Sequence, residues 1–394
     1  MALDLAKRMS TLRASEIREF LKLTARPEVI SFAGGLPAPE LFPISQIKEA
    51  NQKALEEYGA NALQYSTTEG VPALRELIAK RMNDRLGTHY DADHILITSG
   101  SQQALDLSGK VFLDEGDVVL CESPTYLAAI SAFKAYGCRF IEVPTDVHGM
   151  KMDELETILK TTEKVKFIYM IPNFQNPSGN SWSKERREKL AALAARYNVA
   201  VLEDDPYGEL RFEGDFLPAV KTFDKTGHVF SLGTFSKILC PGLRVAWIAG
   251  DKDIIRKYVL VKQGTDLQSN TLAQFQILKY LELNNIEDHI ALIRETYKKR
   301  CQLMIKTIRE EIPGNLVSFS PPQGGLFIWM EVSPEIDARD LLKQCLEQNV
   351  AFVPGGAFFP NTEKNNTLRL NYSSMPEERI VEGIRRLAKV LKTM

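Results

Sequence analysis

Long apolar runs are missing from this chain. Nowhere does it approach the roughly 20 consecutive apolar residues that a membrane span needs, and the opening MALDLAKRMS lacks the apolar core of a signal peptide. An excess of one charge is missing too. The 49 Lys and Arg stand against 51 Asp and Glu, a formal net charge of −2, so there is no basic footprint for nucleic acid and no polybasic patch for a membrane surface. Cysteine and histidine are scarce, five of each. Cys121, Cys138, Cys240, Cys301 and Cys345 are odd in number, scattered and without a CxxC pair. They read as reduced thiols of a cytoplasmic protein rather than as a disulfide framework. The histidines show no HxxxH or other ligand spacing, so no metal is expected. There is no internal repeat and no low-complexity linker.

What is there is an ordinary globular composition, 44% hydrophobic and 25% charged over 394 residues, long enough for two domains. A short amphipathic helix, ASEIREFLKLTARPEV, is expected to stop near Arg26-Pro27, with Arg18 on its polar face. The segment SFAGGLPAPELFP follows an extended path set by Gly34, Gly35 and three prolines. Helices are predicted over 44–58 and from Pro72, with Gly87 as the stop of the second. From His94 short apolar runs alternate with helical patterns: strands over 95–98, 117–120, 139–143, 167–171, 199–202, 228–231 and 244–249. Such alternation argues an α/β fold, a mostly parallel sheet sandwiched by helices. Helices over 271–283 and 286–311 then lead to a smaller α+β region, with strands near 326–331, 350–353 and 367–370. The expected division is an N-terminal arm and lid helix over 1–45, a large domain over 46–290 and a small domain over 291–394.

The most informative stretch is SLGTFSKILCPGLRVAWIAG (Ser231–Gly250). It sets Lys237, with Thr234 and Ser236 beside it and Arg244 beyond, in a turn between two apolar strands. A lysine amine becomes a nucleophile when burial or nearby positive charge lowers its pKa, most often to form a Schiff base with a carbonyl or with pyridoxal phosphate. Hydroxyls and an arginine suit a phosphate monoester. Alone, the stretch reads rather as a loop with a solvated lysine; the other stretches must supply the rest.

Other stretches add to it. SGSQQ (Ser99–Gln103) sits at a strand-to-helix junction, where backbone N–H groups and the helix dipole make an anion site; it is neither a dinucleotide nor a Walker fingerprint. LEDDPYGEL puts Asp204 and Asp205 at the carboxyl end of a buried strand, where parallel-sheet proteins bind ligands. Asp204 is the choice to pair with a heterocycle nitrogen and Asp205 the structural or capping residue, with Tyr207 three residues on. IPNFQNPSGNSW carries Asn176 in a turn at the same sheet edge. Tyr126 is placed to stack on a planar ring. Arg369, in the apolar strand NTLRLNYS, needs a counter-charge, either a ligand carboxylate or an internal acid.

In order along the chain, AGGLP, QYSTTEG, SGSQQA, ESPTY, QNPSG, EDDPY, TFSK with Arg244, GGLFIWM, FVPGG and LRLNYS resemble the pattern of pyridoxal-phosphate-dependent fold-type-I aminotransferases. They are most similar to the 2-aminoadipate, kynurenine and multi-substrate aromatic subgroup, over nearly the whole chain. The resemblance implies that Lys237 bonds the cofactor, that Asp204 pairs with its ring nitrogen, and that Tyr207 and Asn176 contact its 3-oxygen. It implies that Tyr126 stacks on the ring and that Gly100, Ser101, Gln102, Thr234, Ser236 and Arg244 hold the phosphate. Tyr65 is implied to reach the partner subunit's cofactor in a homodimer. Arg369, with Asn176 and the Gly35 backbone, is implied to bind the substrate α-carboxylate, and Arg18 to meet an acidic side chain. The activity implied is ping-pong transamination between an L-amino acid (2-aminoadipate, aromatic, branched or glutamate) and a 2-oxo acid such as 2-oxoglutarate. Two alternatives share the scaffold: a lyase or decarboxylase, and the effector-sensing half of a transcription regulator. The second needs a substantial basic DNA-binding domain, where only a short arm is expected before SFAGGLP.

Overall fold

The computed structural model describes residues 3, 5–10 and 26–394. The helix expected ahead of Pro27, and Arg18 on it, lie outside these residues. Strand β1 (Ile30–Ser31) is followed by the eight strands of the main sheet: β2 (Ile95–Thr98), β3 (Val118–Ser123), β4 (Arg139–Asp146), β5 (Gly149–Met150), β6 (Val165–Met170), β7 (Ala200–Asp204), β8 (Val229–Thr234) and β9 (Ala246–Ala249). The last five are β10 (Val317–Phe319), β11 (Phe327–Val332), β12 (Val350–Ala351), β13 (Val353–Pro354) and β14 (Thr367–Asn371).

The main sheet has the order β2-β9-β8-β7-β6-β3-β4-β5. The pairs β4/β3, β3/β6, β6/β7 and β7/β8 are parallel, and β9 runs antiparallel between β8 and β2. Strand β2 therefore points the same way as the parallel strands, and all their carboxyl ends open on one edge. Alternation along each strand assigns its side chains to two cores. Val119 and Cys121 of β3, Phe167 and Tyr169 of β6 and Leu202 of β7 enter one core. Val118 and Leu120, Ile168 and Met170, and Val201 enter the other. Helices cover both faces, which is why these strands read as continuous apolar runs.

The predicted helices match closely. The helix Pro72–Leu86 has proline in its first turn and ends on Gly87, whose φ of 66° is left-handed and whose N–H donates to Asn83. The helix Ile286–Glu311 starts on an Asn285 cap and buries Ile290, Ile293, Tyr297 and Met304, the residues whose spacing announced it. The second sheet, β10-β11-β14-β13, is antiparallel and places Arg369 of β14 between Trp329 and Val353.

Several strand boundaries differ from expectation, and two of them bear on the site. The strand predicted over 228–231 continues to Thr234, because Gly233 and Thr234 keep pairing with Trp247 and Ala246. The strand predicted from Arg244 begins instead at Ala246, because Arg244 has a φ of 54° and closes a single helical turn, Pro241–Leu243. Thr234 is thus a buried strand end rather than a turn residue.

Candidate active site

Seven segments converge at the carboxyl edge of the main sheet. Strand β8 ends on Thr234, whose hydroxyl donates to Ser236 Oγ at 2.9 Å and accepts from the Ser236 N–H at 3.0 Å. The chain then turns and brings Lys237 inward, where Nζ donates to the Gly35 carbonyl at 2.7 Å. Burial lowers the Lys237 pKa to about 8, helped by the positive charges of Arg369 and Arg244. The conditions that activate an amine are therefore met by the fold.

Beyond β2, Gly100 has a φ of 79° and opens the helix Ser101–Phe112. A side chain at Gly100 would collide with the Arg244 guanidinium. Only glycine lets the helix N-terminus and this arginine come together. Ser101 Oγ is buried without a hydrogen-bond partner among the described residues. Gln102, by contrast, is exposed and reaches only the Ala128 carbonyl at 3.5 Å.

Asp204 ends β7 on the same face as Leu202. Its Oδ2 accepts a 2.8 Å hydrogen bond from the Tyr169 hydroxyl, while Oδ1 is buried with no partner among the described residues. Burial raises its pKa to about 7 against the opposing Tyr169 bond. Glu203 points to the other face and accepts from the Val220 and Lys221 N–H groups at 2.6 and 3.1 Å. Asp205 accepts from Asn173 Nδ2 at 3.0 Å and the Gly208 N–H at 2.9 Å. This is the structural role the sequence reading assigned to it.

Arg369 is nearly fully buried, and its Nη1 donates to Asn176 Oδ1 at 2.7 Å and its Nη2 to the Ala33 carbonyl at 2.6 Å. Its Nε has no partner among the described residues. No carboxylate among the described residues pairs with it, so an internal acid is not what balances its charge; Phe327 lies 4.2 Å and Phe358 5.2 Å from the guanidinium. Desolvation lowers its pKa to about 10, offset in part by Tyr207 and Tyr126. Tyr207 is buried, hydrogen-bonds with Asn176, and has its phenol pKa raised chiefly by burial. Tyr126 caps the helix Leu127–Lys134 at the end of the β3 loop.

The structure thus brings together Gly35, Gly100, Ser101, Tyr126, Asn176, Asp204, Tyr207, Thr234, Ser236, Lys237, Arg244 and Arg369. Gln102 and Tyr65 are not gathered in. Tyr65 is 78% exposed, because it lies in an extended loop with only its backbone tied to Gln64. Sequence reasoning missed Tyr169, although a tyrosine paired in register with Leu202 faces the same side as an acid two residues on. It also missed Glu122, which accepts from the Ile171 N–H at 2.9 Å and from Trp182 Nε1 at 2.8 Å. These bonds tie both ends of the loop that carries Asn176. Burial raises the Glu122 pKa to about 7.

Among the described residues no helix is long and apolar enough to cross a membrane. Residues 28–387 match the family described as aminotransferase class I and II. The chain is 46% identical to aromatic-amino-acid aminotransferase 1 of Thermococcus litoralis over 385 residues, covering 97% of this chain and 92% of that protein. The structure of the Pyrococcus horikoshii kynurenine aminotransferase in complex with PMP superposes with a TM-score of 0.95 at 44% identity, covering 99% of this chain and 97% of that one. The α-aminoadipate aminotransferase of Thermus thermophilus, complexed with N-(5'-phosphopyridoxyl)-L-leucine, superposes at 0.91 with 41% identity, covering 99% and 97%. Chain-long likeness of this kind, on a sheet edge that gathers a lysine of lowered pKa, a buried aspartate and an unpaired arginine, identifies the chain as a pyridoxal-phosphate-dependent member of the class I and II aminotransferases.

Proposed function

We propose that the Lys237–Asp204–Arg369 cluster moves amino groups between an L-amino acid and a 2-oxo acid. The observation that carries this reading is Asp204 Oδ1, buried and unpartnered on the same sheet edge as a lysine of lowered pKa. A buried carboxylate oxygen without a donor calls for a cationic N–H, and a protonated ring nitrogen supplies one. The unpartnered Ser101 Oγ and the Gly100–Arg244 contact fit a phosphate in the same way. Lys237 would hold the cofactor. Asp204 would pair with the ring nitrogen, Tyr207 and Asn176 with the 3-oxygen, and Tyr126 would stack on the ring. Gly100, Ser101, Thr234, Ser236 and Arg244 would hold the phosphate, with Gln102 at its rim.

Bound pyridoxal phosphate supplies an electron sink for the charge left when an amino acid loses its Cα proton. Lys237 Nζ, with a pKa of about 8, is a base matched to neutral or mildly alkaline solution and accepts and returns that proton. Arg369 turns toward the α-carboxylate with an Nε still free, Asn176 fixes the fork, and the Gly35 carbonyl orients the lysine. Burial of these groups excludes water from the proton transfer. The donor proposed is 2-aminoadipate, an aromatic or branched amino acid, or glutamate, with 2-oxoglutarate as an acceptor. The names of the relatives support the aromatic and 2-aminoadipate part of this range, and the leucine adduct of the Thermus thermophilus enzyme supports the branched part. Arg18, outside the described residues, would read an acidic side chain. The exposed Tyr65 would complete the cofactor site of a second copy in a homodimer, and the working compartment would be the cytoplasm. We place the division between large and small domains within the helix Ile286–Glu311, near residue 290.

The test is an absorbance scan of the purified holoenzyme. The cofactor band should shift on adding single amino acids and return with 2-oxoglutarate. Lys237→Ala should still bind the cofactor yet transfer no amino group; catalytic transamination by that variant would sink the assignment.

A further inference from the structure

A cavity of about 310 Å³ lies outside the cluster just described, among the helix Pro72–Leu86, the segment 205–219 and the start of the helix Ile286–Glu311. Lys237, Asn176 and Arg369 do not line it, although Thr234 and Asp205 form part of its inner wall. Its volume falls within the range of small-molecule sites. Met82, Leu217, Ile238 and Trp247 give it apolar walls.

At its mouth three arginines, Arg81, Arg85 and Arg294, face two acids, Glu209 and Glu287. Arg81 and Arg85 share the carboxylates of Glu209 and Glu287, with Arg81 Nη1 at 2.6 Å from Glu287 and Arg85 Nη1 at 3.2 and 3.3 Å from the two acids. Arg294 is left over. Its Nε donates to the Glu209 backbone carbonyl at 2.6 Å, and no carboxylate among the described residues pairs with it. Its guanidinium lies 4.9 Å from the ring of Phe216, which is 53% exposed. Deeper in, Arg211 is only 5% exposed and gives its Nη1 to the Glu213 carbonyl and to Gln323 Oε1, while Nη2 has no hydrogen-bond partner among the described residues. The remaining acids of the lining, Glu203 and Asp205, are occupied by the backbone and amide donors already described. A buried guanidinium donor without an acceptor is costly. Arg211 is one such group, and with the half-buried Arg294, which lacks an ion pair among the described residues, it points to an anion; the apolar walls and open ring of Phe216 point to a flat apolar body attached to it.

We propose that this cavity is a second binding site, separate from the catalytic cluster, for a small aromatic monocarboxylate. The carboxylate meets Arg294 at the mouth, the ring lies against Phe216 and Leu217, and Arg211 keeps the interior electropositive. Thr234 links the site to the turn that carries Lys237.

The probe is sodium benzoate, titrated calorimetrically into the holoenzyme, wild type and two variants. Arg294→Gln removes the cation, and Leu217→Trp fills the space; thermal unfolding checks that both are folded. A binding component present in the wild type should weaken about tenfold or more in Arg294→Gln and be lost in Leu217→Trp, whether or not benzoate also binds beside Arg369. Inorganic phosphate, which has charge but no apolar body, should not compete for this component. The proposal is overturned if benzoate does not bind, if both variants give the wild-type isotherm, or if phosphate displaces the component.

Discussion

Replacing Asp204 by asparagine should make the cofactor-free protein more stable with respect to wild type as the pH rises. In the fold, burial raises the Asp204 pKa from 3.8 to about 7. Below 3.8 the carboxyl is protonated in both folded and unfolded chains. Between 3.8 and about 7 the unfolded chain releases the proton and the folded chain keeps it, so folded stability falls by roughly 1.4 kcal/mol per pH unit, roughly 4 kcal/mol in all. Above about 7 the loss is complete and constant. Asparagine has no such proton. Its Oδ1 still accepts from Tyr169, and its Nδ2 takes the place of the unpartnered oxygen at a pH-independent cost of roughly 1–3 kcal/mol. The difference between variant and wild type should therefore move by roughly 4 kcal/mol in favour of asparagine from pH 4 to pH 7.5. The assay is urea unfolding of both cofactor-free proteins across that range. Glu122, Glu203 and Asp205, whose pKa values burial also raises, titrate in both proteins and cancel in the difference. A difference that stays flat with pH would refute the reasoning, because Asp204 would then not be desolvated in the fold.

Two further outcomes follow from the geometry. Arg369→Lys keeps the charge but loses the fork that spans Asn176 and Ala33; steady-state kinetics should show KM for amino acids rising about tenfold or more, with little recovery at high pH. Glu122→Gln leaves one acceptor for the Ile171 N–H and Trp182 Nε1, with a neutral amide in place of the charged oxygen; thermal unfolding should record a loss of roughly 1–3 kcal/mol, with Asn176 less well held.

Much of this was legible because the sheet is buried on both faces. Strand β2 and the helices Thr271–Leu283 and Ile286–Glu311 lie where the pattern of apolar residues predicts them. That several candidate residues would meet at one edge was legible for a related reason: Gly100, Tyr126, Asn176, Asp204 and Thr234 lie at or just past the carboxyl end of an apolar run, whereas Arg369 sits within one. What stayed hidden is what depends on pairing across distance. That β8 runs on to Thr234 depends on β9 lying beside it. Tyr169 acquires its role only because β6 and β7 are neighbours in one register. Glu122 reads locally as an acid at a strand end, and only the return of the chain at Trp182, 60 residues later, makes it a clamp. The outlying position of Gln102 was equally invisible, because a helix N-terminus in sequence does not say which side chain turns outward.

Two cations of the site rest on the main chain of one short segment, Lys237 on the carbonyl of Gly35 and Arg369 on that of Ala33. Every residue type carries that carbonyl, so neither bond can be deleted by exchanging a side chain at 33 or 35. A mutational scan of the segment will report on space instead: a β-carbon at Gly35 would stand 3.1 Å from Phe327 Cζ, the ring beneath Arg369. The anchoring itself becomes visible only to backbone chemistry, such as amide-to-ester exchange at the Gly35–Leu36 linkage, which weakens the carbonyl as an acceptor while leaving every side chain in place.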